Sequence, residues 1–352
     1  MKIIYIENTI KDHPRTKAIC DRYPDAVLIP CDHYGEIFNR KAQNFRLQKK
    51  QPALILARKH DNLVLDAPEG YGIGGKNNFY FSHMLNCVYD CRYCFLQGMY
   101  RSAHHVVFVN YEDFETAIEN KFRKHPGSYF FTGYDCDSLA FEPVTGFVSH
   151  FLSLFARSPD SWIELRTKST QIRKLLKTEP LDNCIVAFSF TPEEISRSLE
   201  HGVPVFERRL EAMAKLQNKG WLLGLRIDPL IYHPDYRLLY RKMFEQIFAT
   251  VNGGFIHSIS LGAFRVPKAY FKNIVKLFPD EKLFAGPVSE RDGMYSYQSE
   301  LENELLTFCR DEIIKHVPES LFFSCTPPSR KLPMFEVQNF AKTDSEDSFA
   351  NG

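Results

Sequence analysis

Apolar positions along this chain switch repeatedly between two spacings. Short apolar runs typical of buried strands occur at residues 78–82, 106–109, 129–132, 162–168, 185–190, 221–227 and 256–261. Segments with the apolar spacing of amphipathic helices separate most of them, at 111–124, 143–156, 172–176, 206–219 and 236–249. Regular alternation of strand and helix predicts parallel βαβ units. Six or so units in succession predict an α/β fold built on a partial (β/α)6 TIM-type barrel.

The segments on either side of this repeat have different patterns. Residues 1–77 contain apolar runs at 2–6, 26–30 and 53–59 and a helical pattern at 15–23, which predict a small N-terminal α/β extension. The barrel is predicted to span 78–278. Residues 279–330 predict a C-terminal hairpin that turns at Asp292-Gly293, then a helix and a strand. Residues 331–352 are mostly polar and predict a flexible tail.

Polar residues follow several of the predicted barrel strands at the point where each strand ends. They are found at 133–138, at Lys168, at Ser189 and at 226–228, and a cysteine-rich segment follows strand 78–82. The carboxyl ends of parallel strands meet at one face of a barrel, where active sites of this architecture lie. The pattern therefore predicts one shared polar site at that face.

The cysteine-rich segment contains Cys87, Cys91 and Cys94 in a C-x3-C-x2-C array. Three thiolates at this spacing can bind three irons of an iron–sulfur cube and leave the fourth iron open to another ligand. A structural zinc ion requires four ligands, and the nearby Cys136, His83, His104 and His105 have no recognisable finger spacing. A thioredoxin-like dithiol would leave Cys87 unexplained. The iron–sulfur interpretation is favoured, with zinc as the alternative.

Charge and cysteine content limit the classes of partner and location. The chain has 44 Lys+Arg, 43 Asp+Glu and a net charge of +1, so any nucleic-acid contact must be local. The basic run at 40–50 is more typical of a solvated surface. Nine cysteines without a disulfide-scaffold pattern favour a reducing compartment. No signal peptide or 18-residue apolar stretch is evident, so a cytoplasmic protein is expected.

Several local sequences resemble, in their order, the spore photoproduct lyase family of radical S-adenosylmethionine (SAM) DNA-repair enzymes. The similarity extends over about residues 5–323. Its marks are Tyr5-Ile6-Glu7, the cysteine array with Tyr93 before its last cysteine, Leu96-Gln97, Cys136-Asp137-Ser138, Thr167-Lys168, Phe188-Ser189 and Tyr295-Ser296-Tyr297. Each mark alone is weak, whereas their shared order is specific for the family.

The resemblance implies a [4Fe–4S] cluster on the three cysteines and SAM on the open iron. In the family, a 5′-deoxyadenosyl radical formed from SAM takes a hydrogen atom from C6 of a thymine dimer, and the crosslink then fragments. Cys136 is expected to return a hydrogen atom to the product radical, and Tyr93 to help regenerate SAM. The residues expected around SAM or substrate are Ser138, Lys168, Ser189, Arg226 and Asp228.

The resemblance also implies damaged DNA as a partner and an external electron donor such as flavodoxin or ferredoxin, with the protein expected to be a monomer. The predicted DNA contacts lie in a loop at 265–268 and near a turn at 291–297. They are Arg265, Lys268, Arg291, Tyr295 and Tyr297. Because the charge is balanced, we expect a local DNA contact that distorts the duplex and depends only weakly on salt.

Three features depart from the family pattern. Phe95 stands where the sporulation enzymes have a tyrosine, residues 133–135 lack a glutamate common in the family, and the 291–297 hairpin is short and weakly basic. These departures suggest a relative that acts outside sporulation. A radical SAM enzyme for RNA or a small molecule remains an alternative, as does a non-catalytic zinc or iron–sulfur module that binds nucleic acid through 40–50.

Overall fold

The computed structural model describes residues 1–325, so the predicted tail at 331–352 lies outside the described residues. The strands are β1 (Ile3–Glu7), β2 (Val27–Cys31), β3 (Leu54–Ala57), β4 (Leu65–Asp66), β5 (Asn78–Tyr80), β6 (Met84–Leu85), β7 (Asp90–Cys91), β8 (His105–Phe108), β9 (Tyr129–Thr132), β10 (Trp162–Thr167), β11 (Cys184–Ser189), β12 (Glu200–His201), β13 (Leu222–Leu230), β14 (Ile256–Ala263), β15 (Arg265–Pro267), β16 (Val288–Arg291), β17 (Met294–Tyr297) and β18 (Phe322–Ser324).

Helices connect most of these strands. The α-helices are α1 (Pro14–Cys20), α2 (Phe45–Lys50), α3 (Leu96–Met99), α4 (Tyr111–Lys124), α5 (Glu142–Thr145), α6 (Phe147–Ala156), α7 (Arg173–Lys177), α8 (Glu193–Leu199), α9 (Phe206–Lys219), α10 (Tyr236–Thr250), α11 (Lys268–Leu277) and α12 (Ser299–Ile313). Short 3₁₀ turns lie at Asn8–Ile10, Tyr34–Glu36, Gly253–Phe255, Lys282–Ala285 and Glu319–Leu321.

The larger sheet has eight strands in the spatial order β4-β5-β9-β10-β11-β13-β14-β18. Every pairing from β5 to β18 is parallel, and only the edge strand β4 runs antiparallel to its neighbour. Because consecutive strands are neighbours and the order is open at both edges, the sheet is a partial barrel. The predicted α/β fold and partial barrel are therefore confirmed.

The smaller sheet has five strands in the order β2-β1-β3-β8-β6. The repeat pattern assigned residues 106–109 to the barrel, but strand β8 instead pairs in parallel with β3, with Leu56 opposite Val107. All four residues of β8 are buried, as in the barrel strands. Such a continuous apolar run indicates burial on both faces without indicating which sheet provides the partner. The assignment of this strand was therefore wrong.

Two further elements shape the surroundings of the cysteine segment. The predicted helix at 143–156 is divided at Gly146, which has a positive φ of 60° and separates α5 from α6. Helix α3, directly after the cysteines, packs against α11, where a Cβ on Gly98 would lie 2.1 Å from the carbonyl oxygen of Tyr270. The glycine therefore permits a close backbone contact that holds α3 in place.

The C-terminal part forms a three-stranded antiparallel sheet in the order β15-β17-β16. The loop predicted at 265–268 is thus a strand, β15, followed directly by α11. No helix within residues 1–325 combines the length and apolar character that a membrane crossing needs.

Candidate active site at the carboxyl ends of the strands

The cysteine segment is a compact loop held by backbone pairing. Strand β7 pairs with β12, so that Cys91 lies opposite Glu200. The N–H of Arg92 donates to the carbonyl oxygen of Leu199 at 2.8 Å, and the N–H of Cys94 donates to that of Cys91 at 3.1 Å. These bonds fix the loop to the end of α8, beside the carboxyl ends of the barrel strands.

The donor set of this loop fits an iron–sulfur cluster. All three cysteines are free of disulfides, and burial raises the pKa of each thiol, to about 12 for Cys87. Bound iron stabilises the thiolate form that burial disfavours. Within residues 1–325, no three His, Cys, Asp or Glu side chains converge tightly enough to hold one ion. In an iron–sulfur cube each thiolate binds a different iron, so three separate thiols are the donor type that such a cluster takes.

Cys136 lies on a buried loop between this segment and the strand ends. Its side chain is 5% exposed and packs in the apolar core that includes Met84 and Val107. Burial raises the pKa of the Cys136 thiol well above its usual range, and interaction with Cys87 raises it further. The structure thus brings Cys136 and the cysteine segment together.

Asp137 ties the Cys136 loop to the end of β10. Its Oδ1 accepts hydrogen bonds from the N–H groups of Leu139 and Ala140, both at 2.9 Å, and from the hydroxyl of Thr167 at 2.7 Å. Its Oδ2 accepts the N–H of Lys168 at 2.6 Å. Burial raises the pKa of this carboxyl, and the four donors oppose that effect. The loop is therefore anchored to the neighbouring strand end.

Lys168 extends from the same strand end toward a buried carboxylate. Its Nζ lies 3.2 Å from Oε1 of Glu200, and its side chain is 14% exposed. The ammonium also lies 5.8 Å from the ring centroid of Tyr93. Lys168, Tyr93 and the cysteine segment consequently share one side of the site.

Glu200 is the residue that joins these groups. Its carboxylate accepts hydrogen bonds from Thr191 at 3.0 Å, from Ser196 at 2.6 Å and from the hydroxyl of Tyr93, and it pairs with Arg209 at 3.0 Å. Burial raises the pKa of Glu200, but Lys168, Arg209 and the hydrogen bonds from Ser196 and Tyr93 together lower it to about 2. Glu200 is therefore a charged group within the protein interior.

The two serines predicted at the site are also buried at strand ends. Ser138 is 0% exposed, and its Oγ lies 2.6 Å from Oγ1 of Thr132. Ser189 is 7% exposed, and its carbonyl oxygen accepts a hydrogen bond from Arg209 at 2.9 Å. Their positions agree with the expected shared face, and their contact with SAM stays a prediction.

Arg226 and Asp228 have partners other than each other. The Nη2 of Arg226 lies 2.7 Å from Oε2 of Glu164, and its guanidinium also donates to the carbonyl and hydroxyl of Ser258. Asp228 instead pairs with Arg265 at 3.1 Å. Because the guanidinium of Arg226 already makes five hydrogen bonds, to Glu164, Leu225 and Ser258, we assign it a structural role in place of the predicted cofactor contact.

The aromatic residues near the cysteines differ in their surroundings. Tyr93 is 6% exposed, and burial and Glu200 raise its pKa well above its usual range. Phe95 is 36% exposed and carries no hydroxyl. Tyr100, which the sequence reasoning did not single out, donates a hydrogen bond to Asp135 at 3.2 Å, directly before Cys136. Only Tyr93 and Tyr100 among these three can exchange a hydrogen atom.

The residues predicted to contact DNA are mostly engaged within the protein. Lys268 pairs with Glu290 at 2.7 Å, Arg291 with Glu302 at 2.5 Å, and Arg265 is held by Asp228 as described above. Tyr295 stacks on Phe271 with 4.1 Å between ring centroids.

Tyr297 lies apart from this set because it is a core residue. It is 1% exposed, and its hydroxyl accepts the N–H of Tyr232 at 2.8 Å. A side chain buried to this degree has no surface to offer DNA, so its predicted contact is not supported. Along β17, Met294 and Tyr295 are half-buried whereas Ser296 and Tyr297 are both buried, so no alternation in the sequence could have separated Tyr297 from Tyr295.

The sequence reasoning also missed Glu200 and did not assign a role to Asp137. Glu200 directly follows α8, whose other acids, Glu193 and Glu194, lie in its first turn. An acid at such a position is typical of a solvated surface. No sequence pattern distinguishes it, because its five partners come from four separate segments. For Asp137, the adjacent Cys136 and Ser138 were the only signal.

Comparisons with known proteins agree with the geometry. A spore photoproduct lyase from Bacillus subtilis (strain 168) is 23% identical over 321 residues, which cover 86% of this chain and 92% of that protein. One from Geobacillus sp. (strain Y412MC61) is 22% identical over 246 residues, covering 66% and 72%.

Solved structures share the fold. A spore photoproduct lyase mutant with bound AdoMet and dinucleoside spore photoproduct has a TM-score of 0.79 and 17% identity, with 93% of this chain and 98% of that chain covered. A spore photoproduct lyase complexed with dinucleoside spore photoproduct has a TM-score of 0.77 and 17% identity, with 92% and 97% covered. The family model described as spore photoproduct lyase matches residues 78–322, well over half of the 352 residues. This chain therefore belongs to the spore photoproduct lyase family.

Proposed function

We propose that this protein is a radical SAM lyase that reverses a thymine-dimer photoproduct in DNA. The observation that carries the proposal is the convergence of the cysteine segment, the Cys136 loop and Lys168 at the strand ends. Membership of the family supports the lyase activity. The solved relatives, whose bound molecules are AdoMet and dinucleoside spore photoproduct, support the cofactor and the substrate class.

We assign Cys87, Cys91 and Cys94 as ligands of a [4Fe–4S] cluster. Such a cluster, when reduced, supplies the electron that cleaves bound SAM to a 5′-deoxyadenosyl radical. The protein contributes a partly buried loop whose backbone is already paired to β12. Burial raises the pKa of the Cys91 and Cys94 thiols, and the nearby Lys168 ammonium opposes part of that rise.

Ser138, Lys168 and Ser189 are our candidates for SAM contacts. SAM carries a carboxylate, an amino group and ribose hydroxyls, which need polar partners in a cavity that excludes water. Lys168 offers a cation that remains 14% exposed at the end of β10, and the serines offer hydroxyls beyond β9 and at the end of β11, the two strands on either side of β10. Asp228, whose side chain is 17% exposed, is a further candidate for this rim.

Cys136 is our candidate for the hydrogen-atom donor. In the proposed step, its S–H bond breaks homolytically while a C–H bond forms on the product thymine radical, and the sulfur is left as a thiyl radical. Its burial excludes solvent from that sulfur. Tyr93 is our candidate for the group that assists the return of a hydrogen atom, and its hydroxyl is oriented by Glu200.

We also propose that the protein acts as a monomer in a reducing cytoplasmic environment. Its partner would be damaged DNA, and an external donor would supply its electrons. The domain division at residues 77 and 278 remains part of the proposal. Lys268 and Tyr295 are our candidates for local contact with DNA. Lys268 begins α11, and Tyr295 lies on β17 opposite Val266. All nine cysteines are free, which is consistent with a reducing location.

Anaerobic incubation tests this function directly. Reconstituted protein, SAM and dithionite would be mixed with ultraviolet-irradiated DNA, and both 5′-deoxyadenosine and repaired thymine would be measured by mass spectrometry. We expect both products. Formation of 5′-deoxyadenosine without repair of any DNA lesion would favour the RNA or small-molecule alternative, and absence of both would contradict the radical SAM assignment.

A further inference from the structure

Glu200 orients the hydroxyl of Tyr93 but has no other role in the proposed reaction. It is a carboxylate with a 0% exposed side chain, and it lies between the cysteine segment and the strand-end residue Lys168. Burial of a charge is unfavourable unless partners compensate for the lost hydration. Here two cations and three hydroxyl groups compensate for the buried charge. One of the cations, Lys168, and one of the hydroxyl groups, that of Tyr93, belong to the candidate site.

The two oxygens of the carboxylate have separate tasks. Oε2 faces the protein frame, where Ser196 donates at 2.6 Å and Arg209 lies at 3.0 Å. Oε1 faces the site, where it accepts from Tyr93 and lies 3.2 Å from the ammonium of Lys168, and it also accepts from Thr191 at 3.0 Å. The frame-side bonds fix the orientation of the carboxylate, and the site-side oxygen then fixes the two reactive neighbours.

The backbone of Glu200 adds a second connection. Its strand β12 pairs with β7, which places Glu200 directly opposite Cys91. One residue therefore sets the position of the cysteine segment through its backbone and of Lys168 through its side chain. A change in the backbone pairing or in the Glu200–Lys168 ion pair would change the distance between the cluster and Lys168, which we propose as a SAM contact.

We infer that Glu200 is a positioning residue that holds Lys168 and Tyr93 in register with the cluster loop and thereby sets the affinity for SAM. The inference rests on the proposed function, because it requires SAM to bind beside Lys168. Glu200 itself is enclosed by the protein and acts through Lys168.

Glu164 provides a matched control within the same barrel. It is also a buried carboxylate, with a 1% exposed side chain, and it is held by two cations, Arg166 at 3.0 Å and Arg226 at 2.7 Å. None of these partners is Lys168 or Tyr93. Glu164→Gln and Glu200→Gln each remove one buried charge from a doubly paired site, so their losses of stability should be similar.

The test measures SAM dissociation constants by equilibrium binding to reconstituted protein, together with thermal unfolding of every variant. We expect Glu200→Gln to raise the SAM dissociation constant about tenfold, since a charge-assisted contact is loosened. Glu164→Gln should bind SAM as the wild type does. The change that SAM causes in the electron paramagnetic resonance spectrum of the reduced cluster should be weaker in Glu200→Gln than in the wild type.

A double variant shows whether Glu200 acts through Lys168. Lys168→Met should weaken SAM binding, and Lys168→Met combined with Glu200→Gln should bind no more weakly than Lys168→Met alone, because the two residues form one unit. Ser196→Ala removes the hydrogen bonds that Ser196 donates to Glu200 and accepts from Arg209 while it leaves the carboxylate in place, and it provides a milder variant should Glu200→Gln fold poorly. It should raise the dissociation constant about threefold.

Unchanged SAM affinity in both Glu200→Gln and Ser196→Ala would overturn the inference, as would fully additive losses in the double variant. Equal losses in Glu164→Gln and Glu200→Gln would also overturn it, because they would indicate a general effect of stability. A wild-type protein that carries the cluster but does not bind SAM would overturn the proposed function, and the inference with it.

Discussion

Asp137 accepts the backbone N–H of Lys168 at 2.6 Å, and this bond ties the loop that carries Cys136 to the strand end that carries the cation. The same carboxylate holds three further donors, so its loss leaves several buried groups without a partner. The Asp137 side chain thus holds the Cys136 loop against the end of β10, through a contact between residues that are 31 positions apart in the sequence.

Replacement of this carboxylate should reduce the stability of the protein. We expect Asp137→Ala to lower the free energy of unfolding by about 2–3 kcal/mol, because buried donors lose their acceptor. Asp137→Asn should lose less, since one oxygen remains. Urea denaturation of the protein without its cluster measures this, and the exposed Asp182→Ala is the control. Equal midpoints for Asp137→Ala and Asp182→Ala would contradict the anchoring role.

The cluster assignment makes a spectroscopic prediction. Cys87→Ala should abolish the brown iron–sulfur absorbance and the electron paramagnetic resonance signal, because three thiolates are the only ligands the loop offers. Cys309→Ala, which removes a buried cysteine from α12, should keep both. Metal analysis of the reconstituted wild type should give on the order of four irons per chain. About one zinc and no iron would instead support the zinc alternative.

The proposed donor can be separated from the cluster. Cys136→Ala should still cleave SAM to 5′-deoxyadenosine, because Cys136 is outside the ligand set, whereas repaired thymine should fall about tenfold or more. Adducts of the trapped product radical should appear in the mass spectrum. Cys184→Ala, a buried cysteine at the amino end of β11, should behave as the wild type. Unchanged products from Cys136→Ala would reduce Cys136 to a packing residue.

The ion pairs on the C-terminal sheet predict how DNA affinity responds to charge. Lys268 is 44% exposed but paired with Glu290 at 2.7 Å, so its charge is partly neutralised. Glu290→Gln should release it and increase affinity for lesion-bearing duplex, with the slope of log K against log salt steeper by about one ion. The exposed Glu300→Gln is the control. If both variants bind alike, Lys268 does not contact phosphate.

Burial of Glu142 predicts a dependence of stability on pH. Burial raises the pKa of this carboxyl from its ordinary 4.5 to about 7, although the N–H of Val148 donates to it at 2.9 Å. The folded state therefore retains a proton that the unfolded state loses, and stability falls as pH rises from about 4.5 to 7. At low pH the contribution is fully present.

Glu142→Gln should remove that part of the pH dependence, because glutamine stays neutral. The free energy of unfolding of the variant minus that of the wild type should rise by about 1–3 kcal/mol between pH 4.5 and 7 and then stay level. Urea denaturation across this range measures it, with the exposed Glu207→Gln as control. A constant difference would indicate that Glu142 ionises normally.

The sequence by itself determined the features that depend on local spacing. The periods of apolar residues identified the helix at Tyr111–Lys124 and the strand at Tyr129–Thr132 with their observed bounds, because side-chain period follows directly from backbone geometry. The cysteine array is local in the same sense. The alternation of strands and helices was sufficient to predict the partial barrel, and the polar residues at the strand ends indicated the candidate site, which stays a prediction.

The tertiary structure decided which distant groups meet. It paired β8 with β3 instead of the barrel, joined Arg226 to Glu164 across 62 residues, and buried Tyr297 beside Tyr232. It also made Glu200 the common partner of Lys168 and Tyr93. Periodicity reports whether a position is buried, but the partner of a buried charge is chosen by the packing of segments far apart in the chain, which local pattern does not encode.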